Sequence, residues 1–506
     1  MHTKPAVHRL RLTPAVARKL RQHHLAPGKR AESISLAMGH GYSNAQGHVT
    51  LVLSDPEALV MFADDCYETK GHAHAVLRRD VRAAAMWQAL QDDFTAVVDV
   101  HDHHFADTAR FSGVDDNDDE NTRLFFEQTV PQFLPPRERG PLFAHAAALL
   151  LARDEWAARG VWAPQTPFAQ ALQVQVPAPA GMQWLCAPPA TLHGEGPARL
   201  VRQAPVLGHA VMQRLGGLRV AVVGAGGTGS ITAEMLGRLG VGQIDLIDAD
   251  RVEASNLNRL QGAGPGDVGE FKVDVMRREL GRCSPDVQVH SVADAVWSAA
   301  AVECLEQADI VIGCVDNEHT RWWLNRFAVQ YLIPYFDVGV LVQLVPARRT
   351  LSRVTTVVPG AGPCGHCSPM DFFHRSRPAR FLDAATLATQ RRAGYVQDTS
   401  AMVADPSLYM LNLEVVAALG MEMLAWLTAD GRGNLSTVRD SNEEHLQRLP
   451  RALFGGLHAE DCAVCTTLMG ACKTVPLPEE QSDDQAVNHA AEIAAAFETT
   501  STRQGE

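Results

Sequence analysis

The sequence predicts an α/β protein in two unequal parts, on three observations. Its 506 residues are too many for one hydrophobic core, so two or three domains are expected. From Leu218 onward, β-branched runs alternate with segments of helical spacing, the pattern of a doubly wound parallel sheet covered by helices. Before it, strand and helix signals mix less regularly, and a Pro-rich stretch ending at Leu200 parts the two regions. The expected division is a first domain over 1–165, a linker over 166–200, a second domain over 201–475 and a partly disordered acidic tail over 476–506.

Each element has a local reason. Residues 13–24 have helical spacing. ESISLAMGHGY and HVTLVLSD, parted by a Gly/Asn turn, read as paired strands. DVRAAAMWQALQDDF reads as a helix, and TAVVDVH as a short buried strand. Residues 120–159 are expected to be largely helical. In the second region LRVAVVGAGGTGS is a strand entering a Gly-rich turn, ITAEMLGRLG a helix, QIDLIDAD a strand, KVDVMRREL a helix and ADIVIGCVD a strand.

Composition narrows the function. An apolar share of 46% and a charged share of 20% are ordinary for a globular protein. A formal net charge of −13 disfavours general nucleic-acid binding, which needs a basic footprint. No window approaches 18 uninterrupted apolar residues, so no membrane span is expected. The N-terminus lacks an apolar signal core, and a cytoplasmic location is the expectation.

GAGGTGS follows a strand and opens a helix, where glycines let the backbone approach a phosphate welcomed by the helix N-terminus. Alone it would equally suit a nicotinamide dinucleotide. Behind it, IDADRVEASNLNRL, FKVD and CVDNEHTR place Asp248, Asn256, Arg259, Lys272 and Asp316 in sequence. This set resembles the ThiF/MoeB family and the adenylation domains of ubiquitin-activating enzymes over about 200–345, with Leu260 standing where glutamine is usual. The resemblance implies a Rossmann-like adenylation domain, a cytoplasmic adenylyltransferase, and a homodimer. It implies that Gly224, Gly226, Gly227 and Gly229 cradle the phosphates of ATP and that Asp248 holds the ribose. It also implies that Asn256, Arg259 and Lys272 hold the phosphates and neutralise charge at the reacting one, and that Asp316 holds Mg²⁺. Chemistry agrees: a carboxylate is already nucleophilic, so the protein supplies mainly orientation and cationic charge.

Two C-x-x-C pairs, Cys364/Cys367 and Cys462/Cys465, have the spacing of a closed four-thiolate zinc site, each pair spanning one tetrahedral edge. A redox pair is the alternative. ThiF/MoeB-like proteins carry a similar structural zinc. Ubiquitin-activating enzymes pass the acyl group to a cysteine on a loop after this sheet, but 368–412 contains none, leaving Cys186, Cys314 and Cys472 as further thiols.

The stretch VVDVHDHHFADTARFSGVDD, residues 97–116, gathers histidines and aspartates after an apolar strand. On a strand His101 and His103 share a face and Asp102 points away. Eight residues separate His103 from Ser112, and two separate Ser112 from Asp115. This arrangement resembles the JAB/MPN metalloproteases, the JAMM isopeptidases, whose usual gap is one residue shorter; His104 with Asp116 is the fallback pairing. The resemblance implies an α/β/α domain in which His101, His103 and Asp115 hold a catalytic Zn²⁺. Glu32 would be the general base, and Ser112 would bond the oxyanion. A solvated acidic loop is the plain alternative, though it leaves the preceding strand and Glu32 unexplained.

Together the resemblances imply a bifunctional enzyme of a bacterial ubiquitin-like modification system. It would use ATP, Mg²⁺ and two zinc ions, one catalytic and one structural. Its partner would be a ubiquitin-like or sulfur-carrier protein with a short flexible C-terminal tail, with no nucleic acid or membrane involved. Sulfur-carrier activation and a nucleotide-binding scaffold with an inactive first domain are the alternatives.

Overall fold

A computed structural model describes residues 8–43, 47–72, 74–91, 94–124, 126–127, 145–163, 170–178, 181–185, 197–343, 349–366, 407–428, 434–440, 447–450 and 462–472. The expected acidic tail lies outside them.

In the first region β1 (His8–Leu12) leads into α1 (Pro14–His24), whose start is capped by the Thr13 side chain. β2 (Ile34–Ser43) and β3 (Val49–Leu53) pair antiparallel, as their patterns predict. β4 (Leu59–Met61) adds to β2, and β5 (Tyr67–Lys70) with β6 (Ala75–Leu77) forms a small hairpin. α2 (Arg79–Gln91), β7 (Ala96–Asp102) and α3 (Gly113–Leu124) follow. Then come β8 (His145–Leu151), β9 (Trp156–Trp162), β10 (Ala171–Ala178) and β11 (Gly181–Trp184). The sheet runs β1-β3-β2-β7-β8-β9-β10-β11, and β10 also pairs with β1, so the sheet closes on itself. α1 packs Val16 and Leu20 on one face, while Met86 and Ala89 of α2 and Phe126 cover the other. Helices thus pack against both faces of this closed sheet.

Two expectations fail here. Residues 120–159 are not largely helical: α3 ends at Leu124, 128–144 lie outside the described residues, and β8 and β9 are strands. The run HAAALLL is buried at every position. Such a run suits a strand covered on both faces as well as a helix, and pairing with β7 on one side and β9 on the other decides it. Nor is all of 166–200 a linker, because β10 and β11 complete the first sheet. The alternation in ALQVQVPA is a strand signal, with Pro177 near its end.

The second region begins with α4 (Ala204–Leu207) and α5 (His209–Gly217). β12 (Arg219–Val223), α6 (Gly227–Leu239), β13 (Gln243–Ile247), α7 (Lys272–Cys283) and β14 (Gln288–Val292) form its first half. α8 (Ala299–Glu306), β15 (Ile310–Gly313), α9 (Glu318–Tyr331) and β16 (Tyr335–Gln343) form its second. The order β14-β13-β12-β15-β16 is parallel and reverses direction between β12 and β15, the switch point where doubly wound sheets bind ligands. β17 (Arg349–Val357), β18 (Asn434–Asp440) and β19 (Gln447–Pro450) extend it antiparallel. α10 (Tyr409–Leu427) is long and apolar enough to cross a membrane by length and composition, yet it packs Val415, Leu419, Met423 and Trp426 into the sheet core beside α6. The described residues end with α11 (Ala463–Thr467) and the turn to Cys472.

β1 joins the two sheets. Asp309, 3% exposed before β15, accepts from Arg9 Nε at 3.1 Å and Gln175 Nε2 at 2.9 Å through Oδ1, and from the Arg219 amide at 2.9 Å through Oδ2. Arg11 is equally buried and donates to the Tyr331 and Ala308 carbonyls at 3.0 and 2.7 Å. Burial would raise the Asp309 carboxyl, but Arg9, the Arg219 amide, Gln175 and Arg11 together hold the group low. Asp309→Ala removes the carboxylate paired with buried Arg9, so a loss of about 3–5 kcal/mol is expected, read as a lower denaturation midpoint with both regions unfolding together.

Burial also pushes His145 down to about 4 from 6.5. It folds as the neutral ring, so the stability tied to it is complete above pH 6.5 and is lost as pH falls toward 4. A loss on the order of 2–3 kcal/mol over that window is expected from this group, and His145→Gln should flatten the corresponding fall in melting temperature.

Candidate active sites

The first site lies at the β12/β15 switch point. After β12 the chain turns through Gly224 at φ +90°, where a Cβ would stand 2.7 Å from the Cys314 carbonyl oxygen. A Cβ on Gly229 would overlap the Gly224 carbonyl, so α6 approaches β12 this closely only because both positions lack side chains. No side chain caps α6, and open space adjoins Gly226. Its N-terminal amides and dipole are therefore placed for an anion.

Of the polar residues expected behind this loop, Asp248 and Arg259 touch it. Asp248, at the end of β13, accepts from the Ala225 and Asp250 amides at 2.6 and 2.8 Å, and burial pushes its carboxyl up. Lys272 opens α7 and bonds Asp250 Oδ2 at 2.7 Å. Arg259 lays its aliphatic stem over Gly227, its Cδ 3.2 Å from where a Cβ would be, and donates to the Ser255 carbonyl and Asn258 Oδ1. Asn256 caps its own turn, accepting from the Glu253 amide at 3.1 Å. Asp316 is exposed in the turn after β15, where Asn317 caps α9.

Sequence reasoning missed three neighbours. Asp250 stands two places after Asp248 in IDADRVEASNLNRL. Asn412, buried on α10, presses its amide against Gly227 from 185 positions away, and no local signal marks it. Leu260 packs with Val252 and Val275, and the glutamine comes one place later: Gln261 accepts from the Tyr409 hydroxyl at 2.5 Å.

The second site is on the first sheet. His101 and His103 leave β7 on one side with ring centroids 5.4 Å apart, while Asp102 turns inward. Asp115, in the first turn of α3, puts Oδ1 3.1 Å from His101 Nε2, and possible ligand atoms of these three residues all lie within 4.8 Å of one another. Glu32 Oε1 is 3.7 Å from His103 Nε2, and burial pushes its carboxyl up to about 7. Burial would raise Asp115 as well, but His101 and the Ser112 amide hold it low. Ser112 accepts from the Asp115 amide at 3.4 Å at the same mouth. His74, Asp99, Asp118 and Asp119 complete the lining and were not expected. The fallback pairing is not assembled, since His104 turns to Asp102 at 2.8 Å and Asp116 pairs with Arg159.

A divalent ion suits the chemistry of this pocket. Glu32 Oε1 is a buried atom without a hydrogen-bond partner, and it and His101 Nε2 are crowded against other ligand-type atoms. At the third cluster Cys364, Cys462 and Cys465 are buried with their sulfurs within 4.8 Å of one another, Cys364 and Cys462 3.8 Å apart. Cys367 lies outside the described residues. Three converging buried thiols fit a thiophilic ion beneath α9.

A Gly-rich turn at the switch point of a doubly wound sheet defines a Rossmann-type α/β protein. The chain belongs to the ThiF family, whose model matches residues 198–457, just over half of it. It is 34% identical over 169 residues to ubiquitin-like modifier-activating enzyme 5 of Drosophila ananassae, a match spanning 31% of this chain and 41% of that protein. The Gallus gallus protein of the same name is 34% identical over 163 residues, 30% of this chain and 39% of its own. The chain thus spans about two fifths of the length of the curated relatives it matches. A crystal structure of E. coli MccB aligns with a TM-score of 0.42 at 19% identity, covering 55% of this chain and 74% of that one.

Proposed function

We propose that this chain uses ATP to adenylate the C-terminal carboxylate of a ubiquitin-like protein, and that its first region is a zinc-dependent peptidase acting at the same terminus. The observation carrying the first activity is Arg259 lying over Gly227 at the uncapped α6 loop, with Asp248 bonded to the Ala225 amide and Lys272 held nearby on Asp250. In this reading the loop amides take the phosphates and Asp248 the ribose. Arg259 and Lys272 offset charge that builds at the α-phosphate as the carboxylate attacks and pyrophosphate leaves. Lys272, paired to Asp250 in the free protein, exchanges that partner for phosphate. Asp316 holds Mg²⁺. Incubating the chain with ATP, Mg²⁺ and purified ubiquitin-like proteins ending in Gly-Gly should release pyrophosphate in step with the cognate partner; no nucleotide binding at all would refute the reading.

For the second activity, His101, His103 and Asp115 would hold zinc and Glu32 would take the proton of the attacking water. Zinc, when bound, supplies Lewis acidity that makes water nucleophilic near neutral pH. A carboxyl already pushed up to about 7 is matched to accept and return a proton there. Ser112 stands at the mouth for the carbonyl oxygen.

The state of Cys314 and Cys472, two of the further thiols among the described residues, favours direct use of the adenylate, as in thiocarboxylate formation. Burial pushes Cys314 up to about 11 beneath the glycine loop, and it pushes Cys472 up as well. Mass spectrometry of the partner after reaction separates a thiocarboxylate from a lysine conjugate.

A further inference from the structure

We propose that Asp102 is a positioning residue: on the side of β7 opposite the two histidines, its carboxylate holds the segment carrying Glu32 in place over the candidate metal pocket. The inference rests on the peptidase reading above. Its starting point is a gap in the backbone ladder. β2 and β7 pair from Ile34 opposite His101 onward, so Glu32 lies beyond the last paired residue. Its amide reaches only the Gly71 carbonyl, at 2.9 Å, and its Oε1 has no hydrogen-bond partner. The position of the Glu32 carboxylate is therefore set by what holds its neighbours.

Those neighbours converge on one oxygen. Asp102 Oδ2 accepts from the Ser33 amide at 3.0 Å, the Ser33 hydroxyl at 2.8 Å and Lys29 Nζ at 2.5 Å. It also lies 2.9 Å from His24 Nδ1. Lys29 additionally donates to the His24 carbonyl and the Ser33 hydroxyl, tying the end of α1 to the same point. His24 is buried and held neutral, pushed down to about 4 by burial, so its Nδ1–H donates to Asp102 and its Nε2 accepts from the Ser35 hydroxyl at 2.7 Å. The other oxygen, Oδ1, accepts from His104 Nδ1 at 2.8 Å and steadies the turn that follows His103. Asp102 itself is fully buried. One side chain between the two histidines thus spans α1, the Glu32 segment and the strand carrying the ligands. Charge-assisted bonds in a dry site are stiff, and a displacement of about 1 Å in a catalytic group can cost 10²-fold in rate.

The test uses the full zinc-loaded chain and substitutions remote from the ligands, Lys29→Met and Ser33→Ala. The probe is a fluorogenic peptide ending in Gly-Gly-aminomethylcoumarin. Each variant is expected to keep wild-type zinc affinity and KM while kcat falls about 10-fold, and to keep wild-type pyrophosphate release. A role in general stability alone would leave kcat of the folded fraction unchanged, and that result overturns the proposal, as does loss of zinc in proportion to loss of activity. A wild-type chain that binds zinc independently of His101, or leaves the probe uncut, overturns the peptidase reading and this inference together. An active wild type matched by both variants overturns the positioning role alone.

Discussion

Arg259→Glu is expected to lower partner-dependent pyrophosphate release by at least about 10³-fold while leaving the protein folded. The side chain crosses the glycine loop at Gly227, and its own bonds are local, to the Ser255 carbonyl and Asn258. Reversing its charge puts a carboxylate beside the helix N-terminus where the proposed triphosphate would sit, opposing the ligand in both the ground and transition states. ATP affinity should fall along with turnover, whereas the melting temperature should stay near that of wild type. A Gly229→Val control should fail differently: its side chain would overlap the Gly224 carbonyl, so the loop itself would deform and stability would drop with activity. Unchanged pyrophosphate release in Arg259→Glu would remove the cationic role assigned to this residue.

On the proposed peptidase reading, His101→Ala is expected to remove the ion from the second site, abolish peptide cleavage and spare adenylation. Its Nε2 is a central member of the ligand-type cluster, 3.1 Å from Asp115. Losing one of three protein donors should weaken zinc binding by orders of magnitude. Metal analysis should then fall by one zinc per chain, and the remaining zinc should follow Cys462→Ser, whose sulfur lies in the other cluster. Full retention of zinc in His101→Ala would show that the ion, if bound, sits elsewhere. The two sites can be separated in this way because they stand on different sheets.

How much of this was legible depended on the reach of each interaction. The glycine loop, Asp248 and Asp316 follow strand ends, and strand–turn–helix order is a local property that spacing reveals. The His101/His103 pair was legible for the same reason, since alternation along a strand puts both on one face. The placement of His104 was open in the sequence, because a residue past the strand end has no periodicity to follow; its bond to Asp102 decides it. The strand β8 was misread as helix, since an uninterrupted apolar run carries no period and its neighbours β7 and β9 assign it.

By itself the chain determined the doubly wound second region, the glycine turn and the identity of the residues that ring it, all through contacts within some tens of positions. Only the tertiary structure decided that the Pro-rich stretch supplies strands, that Asn412 presses on the glycine loop, and that Arg9 and Arg11 join the two sheets through Asp309 and backbone carbonyls. The physical reason is common to all three. Partners far apart in sequence are chosen by which buried donors and acceptors find each other once the sheets close, and no pattern within a single segment records that choice.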